Sequence, residues 1–170
     1  FYSPQGHPFS RVAVEPAVIA HDLHPEYLST KYAVGIHGLP KIAVQHHHAH
    51  IASCMAEHGL KGPIIGVAFD GLGYGGDGTI WGGEFLVTTL AGYERRPHLR
   101  CVPLAGGDRA IREPWRMGLS YLRDALGADP LFLGLPGWDG IAEKKIEMVT
   151  TMIQRGLNTV QTSSCGRLFD

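Results

Sequence analysis

Cysteine is scarce in this chain, with three residues in 170, and none of them forms a C-x-x-C pair. An odd number of widely spaced cysteines, Cys54, Cys101 and Cys165, fits neither a disulfide framework nor a zinc ribbon. Long apolar runs are also missing, and the first residues lack the basic-then-apolar layout of a secretory signal. These absences predict a soluble protein of the reducing cytoplasm.

Charge of one sign is not in excess, because 15 Lys and Arg residues face 16 Asp and Glu residues. The basic residues are dispersed, which argues against a nucleic-acid-binding surface. Hydrophobic residues make up 44% of the chain, a usual share for a globular protein with a buried core. The sequence does not begin with Met, and its last residues resemble the start of another element, so we expect a fragment of a longer protein.

The first third of the chain alternates between strand and helix patterns. Continuous apolar runs at residues 17–20 and 42–44 predict two short strands buried on both faces. Residues 26–34, after a proline, and residues 50–58, before a glycine, predict two helices. A histidine cluster therefore lies at the turn between the second strand and the second helix.

The next segment predicts an antiparallel meander. We expect a strand at residues 64–69, a glycine-rich turn at 70–78, a return strand at 79–90 and a third strand near 100–104. Apolar stripes after Pro114 and from residue 146 onward predict helices. The whole pattern predicts an α/β protein whose mixed sheet is flanked by helices, with a lobe boundary near Gly62.

Four of the ten histidines lie within five positions, at residues 46, 47, 48 and 50. His46 and His50 are four residues apart, so on a helix they face the same side and can share one metal ion. Neutral imidazole suits zinc, iron or nickel, and a carboxylate such as Asp70 would complete the ligand set. We expect His47 and His48 to make hydrogen bonds around the site or to contact substrate. The alternative is a histidine-rich surface turn.

The segment from Asp70 to Glu84 is unusually rich in glycine, with seven at positions Gly71, Gly73, Gly75, Gly76, Gly78, Gly82 and Gly83. Such a hairpin can turn its N–H groups toward phosphate oxygens, although it matches neither a Walker A motif nor a dinucleotide fingerprint. A purely structural hairpin with a tight glycine turn is the alternative. Asp70, Asp77 and Glu84 would repel phosphate, so we expect a cation between them.

Five segments in series resemble the C-terminal domain of the HypF family of hydrogenase-maturation carbamoyltransferases. They are AHDLHPEYLST at 20–30, VQHHHAH at 44–50, the glycine-rich segment at 69–84, REPWR at 112–116 and TSSCGRLFD at 162–170. The resemblance covers nearly the whole chain in the family's order.

This resemblance implies a two-lobe fold of the actin-like ATPase, or ribonuclease H-like, kind. Residues 1–61 would end the first lobe with the histidine helix, and residues 62–170 would begin the second with the phosphate hairpin. It also implies that His46, His50 and Asp70 are metal ligands and catalytic residues. The hairpin would be the phosphate-binding loop, its glycines, Asp77 and Glu84 would belong to the cofactor-binding site, and Asp170 would contact the ribose.

The family's reaction, by resemblance, uses carbamoyl phosphate and ATP to form carbamoyl adenylate. The carbamoyl group then passes to the C-terminal cysteine of the partner protein HypE. The implied cofactors are a transition metal, zinc or iron, together with ATP and Mg. The chain lacks the family's adenylate-forming region, so we expect it to be inactive alone.

Two other functions remain open from the sequence. The first is an O-carbamoyltransferase of nodulation-factor or antibiotic tailoring, which shares the histidine cluster and the hairpin. The second is a non-catalytic module that binds a metal or docks a partner.

Overall fold

The structure is a computed structural model that describes residues 15–127 and 134–170. The expectation about a signal segment falls on the first residues, which lie outside the described part. The chain divides into two compact units between Val44 and Gln45. In the described part, no helix has the length and apolar character needed to cross a membrane.

The first unit contains a two-stranded parallel sheet. Strands β1 (Ile19–Asp22) and β2 (Lys41–Val44) are connected by helix α1 (Leu28–Gly35), which packs against β1. Both predicted strands are present, but the prediction that they are buried is wrong. Ile42, for example, is 54% exposed. An apolar strand is buried only when both its faces are covered, and α1 does not cover both.

The second unit is a mixed sheet with helices packed against it. Its elements are α2 (His46–Glu57), β3 (Ile64–Tyr74), β4 (Ile80–Thr89), β5 (Gly92–His98), β6 (Val102–Ala105), α3 (Asp108–Arg112), α4 (Trp115–Leu126), α5 (Glu143–Arg155), β7 (Thr159–Thr162) and α6 (Cys165–Phe169). Strand β4 pairs antiparallel with β3 and β5 and parallel with β7, which pairs antiparallel with β6. The predicted α/β class and mixed sheet are confirmed.

The third strand of the meander is not the predicted one. It is β5, whereas the strand near residues 100–104 is β6 and lies on the far side of β7. Strand β5 is charged, mostly exposed and contains Pro97, so it lacks the alternation that predicts a strand. It forms because the tight turn after Thr89 brings it back onto β4.

Helix α2 is held on the sheet by a small apolar cluster. Ile51 and Met55 on the helix pack with Ala68 of β3 and with Trp81 and Leu86 of β4. Two further clusters join β6 to α4 and α5. The first cluster fixes the position of the histidine-bearing helix relative to the β3–β4 hairpin.

Candidate metal centre

Helix α2 begins at His46, four residues earlier than the sequence pattern predicted. Gln45 precedes it in an extended conformation, and its side-chain oxygen accepts a hydrogen bond of 2.9 Å from the backbone N–H of His48. A side-chain acceptor at this position satisfies an N–H group that has no partner within the helix. All four clustered histidines are therefore helical, and His46 and His50 lie one turn apart on the same side.

Asp70 lies in a wide bulge of β3, not in the turn that the sequence predicted. Phe69 pairs with Gly83 and Gly73 pairs with Trp81, so residues 70–72 lie opposite Gly82 alone. The tight turn comes later, where Gly75 N donates to the carbonyl oxygen of Thr79. A bulge re-aims the side chains it carries, and here it turns Asp70 toward α2.

The segment after β7 holds this bulge in place. The hydroxyl of Ser164 donates to the carbonyl oxygens of Gly71, at 2.8 Å, and Asp70, at 3.1 Å, and accepts from the N–H of Arg167. Gly166 lies so close that a Cβ there would be 2.7 Å from Gly71 Cα. These positioning residues were not predicted from the sequence, although they belong to one of the five family-like segments.

The three predicted ligands come together at one point. His46 Nε2 lies 3.1 Å from Asp70 Oδ2 and 3.2 Å from His50 Nε2, and His50 Nε2 lies 3.8 Å from Asp70 Oδ2. Together the three ligand atoms lie within 4.8 Å of one another. Ligands of a four-coordinate zinc ion at ~2.1 Å are about 3.4 Å apart, so this spacing fits one ion.

The Asp70 carboxylate supports the same fit. Its Oδ1 accepts a 2.6 Å hydrogen bond from the N–H of Gly71, whereas Oδ2 accepts none from the described residues although it is buried. A buried carboxylate oxygen without a donor is costly unless a cation compensates it. Two imidazoles and this oxygen are a donor set for zinc or iron.

His48 has a structural role, whereas His47 lies beside the three ligands. His48 Nε2 donates to the carbonyl oxygen of Thr89 at 2.9 Å, which ties α2 to the end of β4. His47 is fully buried, and its Nε2 lies 3.8 Å from Asp70 Oδ2. Burial lowers the pKa of His47 and outweighs the opposing effect of the Asp70 carboxylate, so this ring is neutral near pH 7.

Most of the hairpin glycines bond within the protein. The N–H groups of Gly71, Gly75 and Gly78 donate to Asp70, Thr79 and Gly75 respectively, and those of Gly82 and Gly83 donate to the Glu84 carboxylate. In this structure these five N–H groups are therefore not open to phosphate, and the predicted contact of the hairpin with phosphate stays a prediction. The hairpin's own carboxylates and carbonyls occupy the donors.

Arg95 is the cation between two of the three carboxylates. Its guanidinium lies 2.6 Å from Glu84 and 2.9 Å from Asp77, and it stacks 4.0 Å from the centre of the Trp81 ring. The cation expected between the carboxylates is thus a side chain of the protein at Asp77 and Glu84, where no metal is needed. This pairing was not predicted, because Arg95 lies on β5, a strand that the sequence pattern does not indicate.

Glu84 is a buried, ionised carboxylate. Burial alone raises its pKa, but hydrogen bonds from Arg95, Ser163 and the backbone N–H of Gly82 outweigh burial and leave the pKa below its ordinary value. Glu84 and Asp77 therefore hold the hairpin together. Their predicted contact with a nucleotide stays a prediction.

Two other residues bear on the site. Asp170 forms an ion pair of 2.7 Å with Arg167, and its predicted ribose contact stays a prediction. Cys101 Sγ lies 4.0 Å from His98 Nδ1, a pair that the sequence pattern did not predict. Burial raises the pKa of the Cys101 thiol, so it is not activated as a thiolate.

A cleft of about 480 Å³ opens beside the ligands, between α2 and β3. His50, Cys54 and Asp70 line it, together with an apolar row on β3 that includes Val67 and Phe69. Phe69 is 61% exposed. The site therefore has a polar end at the three ligands and an apolar wall.

The fold is that of a carbamoyltransferase Kae1-like domain. The family described as "Carbamoyltransferase, Kae1-like Domain, second subdomain" matches residues 66–170, and the "HypF Kae1-like domain" matches residues 6–57. The chain belongs to the HypF carbamoyltransferase family.

Relatives and solved structures agree with this assignment. The chain is 47% identical over 161 residues to carbamoyltransferase HypF2 of Cupriavidus necator. The matched region covers 92% of this chain and 19% of the relative. It is 43% identical over 164 residues to HypF of Rhizobium leguminosarum bv. viciae, and this match covers 96% of this chain and 21% of the relative. This chain therefore spans about a fifth of these relatives.

The fold is similar to that of full-length HypF in its phosphate- and nucleotide-bound form. The TM-score is 0.83 and the identity 46%, over 92% of this chain and 20% of that one. HypF of T. kodakarensis gives a TM-score of 0.74 at 36% identity, over 89% of this chain and 21% of that one.

Proposed function

We propose that this chain provides the metal centre of a carbamoyltransferase that transfers a carbamoyl group from carbamoyl adenylate to a cysteine thiolate of a HypE-type acceptor protein. The observation that carries the proposal is the convergence of His46, His50 and Asp70, with one carboxylate oxygen left without a donor. Membership of the HypF family supports the carbamoyl chemistry.

In the proposed reaction, the acceptor's thiolate attacks the carbamoyl carbon. A sulfur–carbon bond forms, the bond from carbon to the adenylate phosphate oxygen breaks, and AMP leaves with the electron pair. A zinc or iron ion would act as a Lewis acid on the carbamoyl oxygen. His46 and His50 would hold that ion by Nε2 and Asp70 by Oδ2.

The protein's other residues orient the groups of this reaction. The bulge fixes the direction of Asp70, and the apolar row on β3 lines the cleft beside it. The nucleophile must come from the acceptor, because the thiol of Cys101 has a raised pKa and Cys54 has no histidine partner among the contacts of the described residues.

The nucleotide belongs to the same proposal. The adenylate phosphate would bind near the hairpin of residues 70–84 and the ribose near Asp170. The nucleotide-bound form of the similar HypF structure supports this part. AMP titration by calorimetry tests it, since a module that only docks a partner binds no AMP.

The decisive experiment uses a chimaera in which this chain replaces the matching segment of the C. necator relative. We expect Asp70→Asn to abolish carbamoyl transfer to the acceptor cysteine while carbamoyl adenylate still forms. His58→Ala, an exposed histidine at the end of α2, is the control and should retain both steps. Retained transfer in the Asp70 variant would remove this residue from the mechanism. Transfer to a sugar hydroxyl and not to cysteine would favour the O-carbamoyltransferase.

Metal content tests the centre itself. His50 is the best position to change, because its side chain is 63% exposed and its loss should not unfold the protein. We expect one zinc or iron ion per chain in the wild type and in His58→Ala, and a loss of at least tenfold in affinity in His50→Ala. Equal metal content in all three proteins would contradict the ligand assignment.

A further inference from the structure

His47 lies inside the metal centre without being one of its three convergent ligands. The ring is fully buried, and its Nε2 has no hydrogen-bond partner among the described residues. That nitrogen faces Asp70 Oδ2 at 3.8 Å, and this oxygen also lacks a hydrogen bond from the described residues. Two buried polar atoms that have no hydrogen bond among the described residues thus face each other.

Gln45 determines which ring nitrogen of His47 carries the proton. The Gln45 amide oxygen must be the atom that faces the N–H of His48, because that group can only donate. Its NH₂ group therefore faces the other way, where it lies 3.4 Å from the carbonyl oxygen of Tyr74 and 3.1 Å from His47 Nδ1. Nδ1 must accept this hydrogen bond, so the ring proton is on Nε2.

The ring is also held in this orientation by its surroundings. A Cβ at Gly73 would lie 2.8 Å from His47 Nδ1 and 3.0 Å from Nε2, so the backbone of β3 touches one face of the ring. The Trp81 ring stacks nearly parallel to it, at 6.4 Å between centres. These two neighbours restrict the plane of the His47 ring, and the Gln45 amide determines which way round the ring lies in that plane.

From these contacts we propose that His47 is a positioning residue that presents its Nε2–H to the Asp70 carboxylate, with its tautomer fixed by Gln45, and is not a third imidazole ligand. The two atoms lie 3.8 Å apart, so they have to approach by roughly 0.7 Å to form the hydrogen bond. The inference rests on the proposed metal centre at His46, His50 and Asp70. With its proton on Nε2, that nitrogen has no lone pair to offer a metal. Donation to Asp70 would orient the carboxylate and leave its other lone pairs for the ion.

The tautomer can be measured without any metal. In the metal-free chain with ¹⁵N-labelled histidine rings, two-bond ¹H–¹⁵N correlation spectra separate the Nε2–H and Nδ1–H forms. One Nε2–H signal should come from His48, which donates to Thr89. We expect a further Nε2–H signal that disappears in His47→Gln. An Nδ1–H signal assigned to His47 would overturn the proposal, whether or not the protein binds metal.

Gln45→Glu gives a sharper test. A glutamate keeps the oxygen that caps the N–H of His48 but replaces the NH₂ group by an acceptor. His47 should then carry its proton on Nδ1 and present a bare Nε2 to the site. Zinc K-edge absorption should count two imidazole ligands in the zinc-loaded wild type and three in Gln45→Glu. Three imidazoles in the wild type, or no change of tautomer in the variant, would contradict the proposal.

Rescue by a conservative substitution separates donation from packing. The side-chain amide of glutamine can place an N–H near the position of His47 Nε2, whereas leucine only fills the space. Loss of an outer hydrogen bond to a ligand costs about 10- to 100-fold in metal affinity. We expect that loss in His47→Leu and an affinity within a few-fold of the wild type in His47→Gln. Equal losses would show a packing role. If the wild type binds no zinc, the proposed centre fails, and the tautomer measurement still decides the role of Gln45.

Discussion

Gly73 allows the His47 ring to reach the metal centre, because any side chain there would enter the ring. We predict that Gly73→Ala lowers the free energy of unfolding by about 1–3 kcal/mol, the usual cost of overpacking a buried position. It should also lower the affinity for zinc, since the ring would be pushed against Asp70. Chemical denaturation and zinc titration measure the two effects.

Gly92→Ala is the matched control for this change. Gly92 also lies in a β-strand, as the first residue of β5, but a Cβ there would have no neighbour within 4 Å. The control should leave zinc affinity unchanged. If both variants bind zinc as tightly as the wild type, the close approach of Gly73 and His47 has no role at the site.

Glu84 should make the stability of the protein depend on pH. Its pKa in the folded state lies below the ordinary value of 4.5, because the hydrogen bonds from Arg95 and Ser163 outweigh its burial. The stabilisation is therefore complete above pH 4.5 and is lost as the pH falls through the lower, folded-state pKa. We expect Glu84→Gln to cost about 3 kcal/mol at pH 7, since it breaks a buried ion pair.

Urea unfolding of wild type and Glu84→Gln at pH 7, 5 and 3 checks this prediction. The difference between the two proteins should be largest at pH 7 and should shrink at pH 3, because below the ordinary pKa the unfolded wild type takes up a proton at Glu84 that the folded state resists. A difference that is independent of pH would mean that Glu84 stabilises the fold by packing alone.

Individual ligands were easier to predict than the residues that hold them. His46 and His50 lie on one helix, so their spacing alone implies that they converge. Arg95 and Ser164 act on residues far away in the sequence, and no local pattern links Arg95 to Glu84 or Ser164 to Asp70. Contacts of this kind follow from strand register, which the sequence pattern did not determine.

The shape of the bulge in β3 should depend on the hydroxyl of Ser164, which holds its backbone. Ser164→Ala removes the donor to the carbonyls of Asp70 and Gly71 and leaves both with one partner fewer. We predict a loss of about 1–2 kcal/mol in the free energy of unfolding. We also predict roughly tenfold weaker zinc binding, because Asp70 would no longer be held toward α2.

Ser120→Ala separates these two effects. Ser120 is equally buried and also donates to a backbone carbonyl, that of Pro103, but it lies on α4 away from the ligands. It should cost similar stability and leave zinc affinity intact. Equal zinc affinities in the two variants would show that the bulge keeps its shape without Ser164.

Elements with a regular apolar pattern were predicted well, and irregular ones were not. Helix α5, with buried Ile146 and Val149, and its end at Gly156 follow from periodicity. The start of α2 was missed because Gln45, an uncommon N-cap residue, supplies the capping oxygen. The bulge at Asp70 was missed because glycine-rich sequence reads as a turn when its pairing partner is unknown.

At the scale of the whole molecule, the structure and the sequence pattern divide the chain at different places. The compact units meet between Val44 and Gln45, whereas the sequence predicts a lobe boundary between residues 61 and 62. All three convergent ligands lie in the second compact unit. The lobe boundary stays a prediction, but the two divisions have different consequences for metal binding.

We predict that residues 45–170 alone bind one zinc ion with an affinity within about fivefold of the complete chain. This piece keeps His46, His50 and Asp70, the capping Gln45, and the cluster in which Met55 packs against the sheet. Residues 62–170 lack α2, so they should bind no zinc at this site and should unfold at lower temperature, since Trp81 and Leu86 lose their cover. Zinc titration and thermal unfolding of both pieces test this. A folded 45–170 piece without zinc would mean that the first compact unit contributes to the centre.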